Sequence, residues 1–439
     1  MVFKRFFDRS AAAPPAEVGD ASPEESDDGA TEPEDDSGLP EEAPDRSWAE
    51  RAAAVIAGGA STGSKRTAAL YGTDASEAPT HFIHASGCRL VATDGDTYVD
   101  CSMALGAVAL GYAEPNVTRA VLDAIGGGHV SALNSTFEVA VAERLCDVVP
   151  CAERVRFMKT GAEATSAAVR IARAYTGRDV VIASGYLGWH DWASEGTGVP
   201  EGARRDVIRV PYDDTAALET AVRTAGDRLA AIILEPVVER MPSTTWTARA
   251  RELCTQRGAA LIFDEMKTGF RLAPGGYQEV ANVTPDLATF GKALANGFPL
   301  SAVCGHKDIM EAAARTWISS TLAGEASALA AAMTVLEWHA QADICDTLAK
   351  NGAEMRRVVS AAVAASGIPG VSVEGLDPMW FLRFEDAAVE AEFLRRAAAH
   401  GVLFKRGAYN YASMAHDEQA IQEIEHAASA SFVEILEET

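Results

Sequence analysis

Apolar and polar positions divide the chain into regions of different character. From about residue 10 to 45 the sequence is Ala, Pro, Glu, Asp, Ser and Gly, with only Val18 and Leu39 as apolar anchors. Such a segment cannot offset its ordering entropy and is expected to stay disordered. From Ser47 the pattern turns helical. Ser47 reads as the N-cap of WAERAAAVIAGG, which Gly58-Gly59 should end. Short alternating runs follow in HFIHASGCRLVATDGDTYVDCS, with Asp94-Gly95 as a hairpin turn, so a small antiparallel sheet is expected.

Between about 105 and 310, apolar runs alternate with helical stretches. The runs are Val155–Met158, Val180–Ala183, Ala230–Leu234, Ala260–Phe263 and Leu287–Phe290. Helices fit between them, such as Ala164–Tyr175 and Thr247–Gln256, each closed by a Gly. This rhythm predicts an α/β fold with a mainly parallel central sheet. The last stretch predicts a smaller α+β unit. It has helices over Ala326–Ala340, Asp343–Ala365, Phe393–His400 and Glu418–Leu436, with strands at Val371–Val373 and Trp380–Phe384. The expected organisation is an acidic tail (1–45), an N-terminal segment (46–104), a large α/β domain (105–315) and a small C-terminal domain (316–439).

Charge changes this picture at one end. The net charge is −25, and residues 1–50 hold 15 acids against four bases. The body is therefore only moderately acidic. The balance argues against nucleic-acid backbone binding and against anionic membrane surfaces. No apolar run reaches the ~18 residues of a membrane span. Met1–Phe7 has two bases but no long apolar core, so it does not read as a secretory signal. Seven scattered cysteines form no metal-site spacing, which fits reduced thiols in the cytoplasm and no metal.

In an open parallel sheet, ligands bind beyond the carboxyl ends of the strands. Three such ends carry informative residues. After Val155–Met158, Lys159-Thr160-Gly161-Ala162-Glu163 opens a helix, a turn suited to a phosphate. After Ala260–Phe263 stands Asp264, a carboxylate that needs a partner where it is buried. After Leu287–Phe290 comes Lys292, inside the apolar stretch TFGKALANGFPLSAV; a desolvated lysine can form a Schiff base. A phosphate, a basic ring nitrogen and an aldehyde together describe pyridoxal phosphate.

At these residues the chain resembles the class III pyridoxal-phosphate aminotransferases. Asp264 to Arg271, DEMKTGFR, resembles their DEVxTGFR signature. Pro285-Asp286 with Phe290-Gly291-Lys292 resembles their PD…GK segment, and Thr160–Glu163 their phosphate turn. Glu235-Pro236 and Thr321-Leu322-Ala323-Gly324 match two further motifs, so the likeness spans roughly residues 50–435. The nearest branch is that of glutamate-1-semialdehyde aminomutase and its aminotransferase relatives.

The resemblance implies a fold type I homodimer with shared active sites. Lys292 would hold the cofactor aldehyde and shuttle a proton. Asp264 would keep the ring nitrogen protonated, Tyr186 would stack on the ring and Met266 would pack opposite. Thr160, Gly161 and Ala162, with Thr321 from the other subunit, would form the phosphate cup. Glu235 would support the ring's oxygen side. Lys65, Arg66, Trp189 and Tyr409 are the candidate substrate residues. Several positions depart from the aminomutase pattern. Ala162 replaces a hydroxyl residue, Leu105 precedes Gly106, and Glu325-Ala326 and the segment Lys405–Tyr411 differ. The expected activity is therefore an aminotransferase. It would move an amino group from a donor such as glutamate to a small, hydroxylated or sugar-like carbonyl acceptor. The alternatives are an aminomutase-type isomerase and a non-catalytic binding protein of the same fold.

Overall fold

A computed structural model describes residues 46–73 and 78–438. The expected disordered tail, with Met1–Phe7, lies outside the described residues. Helix α1 (Trp48–Val55) starts in a capping box: Ser47 Oγ accepts the Glu50 N–H, and the Glu50 carboxylate accepts the Ser47 N–H. It stops before the expected Gly pair because Ile56 is already extended. Gly58 and Gly59, both at φ +73°, then form the turn beyond it. Strands β1 (Phe82–Ser86), β2 (Arg89–Ala92) and β3 (Thr97–Asp100) make the expected antiparallel sheet around the Asp94-Gly95 turn.

The central sheet begins with β4 (Arg154–Met158), which feeds α2 (Gly161–Thr176). Then come β5 (Val180–Ser184), β6 (Val207–Arg209), β7 (Leu229–Leu234), α3 (Thr244–Arg257), β8 (Ala260–Asp264), β9 (Leu287–Phe290) and β10 (Ser301–Gly305). The spatial order is β4-β10-β9-β8-β7-β5-β6. All neighbours are parallel except around β10, which runs against both β4 and β9. The link from β9 to β10, residues 291–300, is too short for a parallel crossover, so the chain turns straight back.

Strands β7 and β8 are buried along their whole length, as LAAIIL and ALIFD. Unbroken apolar strands of this kind need cover on both faces. Ile232, Leu234, Leu261 and Phe263 pack toward Trp246 and Leu253 of α3. Ala231, Ile233 and Ile262 pack toward Ala164, Ala168 and Ile171 of α2. Burial of such side chains stabilises the sheet by roughly 1.5–3 kcal/mol for each large residue. It also fixes where the strand ends point.

The rest of the chain supplies α4 (Ala326–Gln341), α5 (Ile344–Ser366), β11 (Val371–Leu376) and β12 (Met379–Phe384). It ends with α6 (Ala387–Ala399), β13 (Val402–Leu403), β14 (Asn410–Tyr411) and α7 (Glu418–Glu437). Strands β11, β12 and β14 form a small antiparallel sheet. Phe393 and Phe432 stack at 4.6 Å between α6 and α7. Strand β13 pairs in parallel with β3, so chain segments far apart in sequence share one sheet. Helix α4 packs with Leu145, Phe290 and Leu294. Residues Ser47–Thr439 form one compact unit.

Candidate active site

A cavity of about 440 Å³ opens at the carboxyl ends of the central strands. One wall is the start of α2. Thr160 caps the helix: its Oγ1 accepts the Glu163 N–H, while Glu163 Oε2 accepts the N–H groups of Lys159 and Thr160 at 3.0 and 2.9 Å. The Thr160 carbonyl is held by the Ser301 hydroxyl at 2.7 Å. Gly161 and Ala162 line the cavity, and their N–H groups are those the cap leaves over. With the helix dipole behind them, they suit an anion.

The floor carries the two ionisable groups. Asp264 ends β8 and is buried. Its Oδ1 accepts the Thr289 hydroxyl from β9 at 2.9 Å and the Met266 N–H at 3.2 Å. Burial, reinforced by the Glu235 charge, pushes its pKa up from 3.8 to about 7; the Thr289 hydrogen bond and Lys292 oppose that. Among the described residues no cation stands within ion-pair distance of this carboxylate, and Lys292 acts on it only from farther off. Lys292 stands just beyond β9 at φ +46°, in the left-handed region that a side chain rarely enters. Such backbone costs about 1–3 kcal/mol and is found at functional sites. Burial pushes the Lys292 amine below the ordinary lysine value; Asp264 opposes this and Lys267 adds to it.

The far wall is the turn after β5. Gly185, at φ +93°, leaves no room for a side chain, since a Cβ there would stand 2.4 Å from Glu235 Cβ. Gly188, at φ +98°, would put a Cβ 2.8 Å from Ala162 Cα. The turn can therefore fold flat onto the first residues of α2, where Thr165 Oγ1 donates to the Leu187 carbonyl at 2.7 Å. Its residue Tyr186 lines the cavity with a largely exposed ring, and its N–H donates to Glu235 Oε2 at 2.9 Å. Glu235 Oε1 is paired with Lys267 Nζ at 2.6 Å.

Of the residues singled out in the sequence, Thr160, Gly161, Ala162, Tyr186 and Glu235 line this one cavity. So do Asp264, Met266, Lys292 and Trp189. Tyr409 stands one layer back, its hydroxyl 3.4 Å from Lys267 Nζ. Lys65, exposed in the short 3₁₀ turn Gly63–Lys65, is not among the lining residues. Nor is Arg66, whose guanidinium lies against Gly58. Thr321 lies in the turn before α4, also apart from the cavity of this single chain.

Three participants were given no role of their own by the sequence. Lys159 lines the cavity and pairs with the buried Glu325 at 2.6 Å. Thr289 backs Asp264; as the single polar residue of the apolar run LATF, it had a legible signal. Lys267 also lines the cavity, and its scarcity as a residue type was the available clue.

The donor set fits pyridoxal phosphate. A helix start with free N–H groups suits the phosphate, an unpaired buried carboxylate suits a protonated ring nitrogen, and a desolvated lysine suits an aldehyde. The comparisons agree. The family model "Aminotransferase class-III" matches residues 71–191 and 196–426. The chain is 32% identical to the 3-aminobutyryl-CoA aminotransferase of Cloacimonas acidaminovorans, over 82% of this chain and 90% of that one. It is 34% identical to the glutamate-1-semialdehyde 2,1-aminomutase of Thermomicrobium roseum, over 82% and 92%. Among solved structures, the FumI protein of Sphingopyxis sp. MTA144 in a PLP-bearing form superposes with a TM-score of 0.85 at 26% identity. That match covers 89% of this chain and 96% of that one. With the central sheet, the cavity and the family match in agreement, the chain belongs to the class III aminotransferases, pyridoxal-phosphate-dependent enzymes of fold type I.

Proposed function

We propose that this enzyme transfers an amino group from an amino donor, glutamate, to the carbonyl of a small, hydroxylated or sugar-like acceptor. The observation that carries the reading is the meeting of the Lys292 amine, the Asp264 carboxylate and the open start of α2 in one cavity. When bound, pyridoxal phosphate supplies an electron sink next to the reacting carbon. Gly161 and Ala162 N–H groups, with Thr160, hold its phosphate. Asp264 would pair with a protonated ring nitrogen and hold that proton in place. Tyr186 and Met266 would pack against the ring, and Glu235 would border it. Lys292 Nζ would hold the cofactor aldehyde and, as a free amine beside the reacting carbon, would serve as the base and acid that carries its proton. Trp189 lines the substrate mouth, and Tyr409 backs it through Lys267.

The active unit in this proposal is a homodimer, in which Thr321 of one copy completes the phosphate cup of the other. Leu133, Trp317 and Leu322, large apolar side chains left exposed in the single chain, support such an interface. The seven unpaired thiols support a cytoplasmic setting.

The test is the visible spectrum of the purified protein before and after L-glutamate. Replacement of the lysine-bound cofactor band by the amine-form band supports the transferase with that donor. A band that glutamate leaves unchanged moves the reading to another donor or to an isomerase. The 34% identity to an aminomutase favours the isomerase as the second reading. No band after addition of pyridoxal phosphate overturns both.

A further inference from the structure

Position 267 is the open place in the DEVxTGFR pattern, and it holds one of the chain's few lysines. The side chain is 13% exposed and lines the same cavity as Asp264 and Lys292. Its Nζ lies 2.6 Å from Glu235 Oε1, and that carboxylate is itself 7% exposed. The other oxygen of Glu235 accepts the Tyr186 N–H. On its far side Lys267 sits 4.4 Å above the Tyr409 ring, and the Tyr409 hydroxyl accepts the Glu239 N–H at 2.6 Å. The pair thus joins the C-terminal segment to the turn that carries Tyr186.

Resting on the reading above, we propose that Lys267 is a positioning residue: its ion pair with Glu235 fixes that carboxylate as the anchor of the Tyr186 turn and shields Lys292 and Asp264 from its charge. The charged and titratable groups facing Lys267 are Glu235, Tyr409, Tyr411 and Lys292. Those facing Lys292 are Asp264, Lys267, Glu235 and Arg271. Glu235 also acts on Asp264. Without Lys267, a buried anion would stand uncovered beside both groups and would draw a proton onto the Lys292 amine. Without Glu235, an uncovered ammonium would push that proton off. The two deletions have opposite signs, and removing both should nearly cancel.

The experiment uses full-length Lys267→Met, Glu235→Gln, the double variant and Lys267→Arg. In protein cleared of cofactor, Lys292 is acetylated with acetic anhydride across a pH series, and its modification is read on the peptide by mass spectrometry. The midpoint is expected to rise by about one pH unit in Lys267→Met and to fall by about one in Glu235→Gln. It should return to near wild type in the double variant and stay there in Lys267→Arg. The visible band of the cofactor-loaded proteins, titrated over the same range, should move in the same directions. Midpoints that stay put in both single variants, or that move the same way, overturn the proposal. If Lys267→Met does not fold, the near-isosteric Glu235→Gln decides by the sign of its shift. A wild-type protein that takes up no cofactor refutes the proposed function, while the acetylation midpoints still decide the role of Lys267.

Discussion

Replacing Asp264 with Asn separates what this carboxylate does with and without a cationic partner. In the cofactor-free protein burial raises its pKa from 3.8 to about 7. A folded-state value above the unfolded one means that the folded chain holds this proton more tightly. The favourable side of that linkage is complete below about pH 4 and is lost as the pH rises through about 7, where the group ionises in place. Three pH units at ~1.4 kcal/mol each give a penalty of about 4 kcal/mol above pH 7. Asn keeps the shape and an oxygen that accepts from the Thr289 hydroxyl and the Met266 N–H, and it carries no charge. Cofactor-free Asp264→Asn should therefore melt several degrees above wild type at pH 8, and the gap should close toward pH 4. With pyridoxal phosphate in excess the order should reverse, because the carboxylate gains the cation that Asn cannot pair with. Thermal unfolding by circular dichroism at pH 4.5, 6 and 8, with and without cofactor, reads both effects. A cofactor-free variant no more stable than wild type at pH 8, or a gap that does not vary with pH, would refute the reasoning from burial.

Three further variants probe the rest of the site. Lys292→Ala should show no lysine-bound visible band and lose at least about a thousandfold in kcat, since it removes both the covalent anchor and the proton carrier; difference spectra and single-turnover rates check this. Gly188→Ala places a Cβ at φ +98° against Ala162, so the turn must lift from α2. At ~1–3 kcal/mol of strain, cofactor affinity should fall about tenfold or more, read by equilibrium titration. Arg271→Met uncovers the Gly106 carbonyl and removes a guanidinium lying 4.7 Å over the Tyr411 ring. It should destabilise the fold by about 2–4 kcal/mol, read as a drop in Tm.

What could be read from the sequence here was local in its physical cause. Strands β7 and β8 announce themselves as apolar runs because both of their faces are covered, and that requirement acts residue by residue. Lys292 and Asp264 stood out for a related reason: a charge next to such a run cannot be an ordinary surface residue. Strand β10 was missed because its apolar pattern merges with the stretch around Lys292, and only the shortness of the link from β9 reveals the turn back. Strand β6 has three residues at a sheet edge, too few to show alternation. The ion pairs Lys159–Glu325 and Lys267–Glu235 left no signature at all, since each joins segments that meet only after folding. Burial is the larger cause, but the Lys267–Glu235 pair also tunes how tightly the locally legible residues hold their protons. Glu235 adds to the rise at Asp264, and Lys267 adds to the fall at Lys292. It follows that two chains sharing the DEVxTGFR and GK motifs can carry the same functional groups at different proton affinities. A variable position such as 267 is then where their pH profiles should diverge.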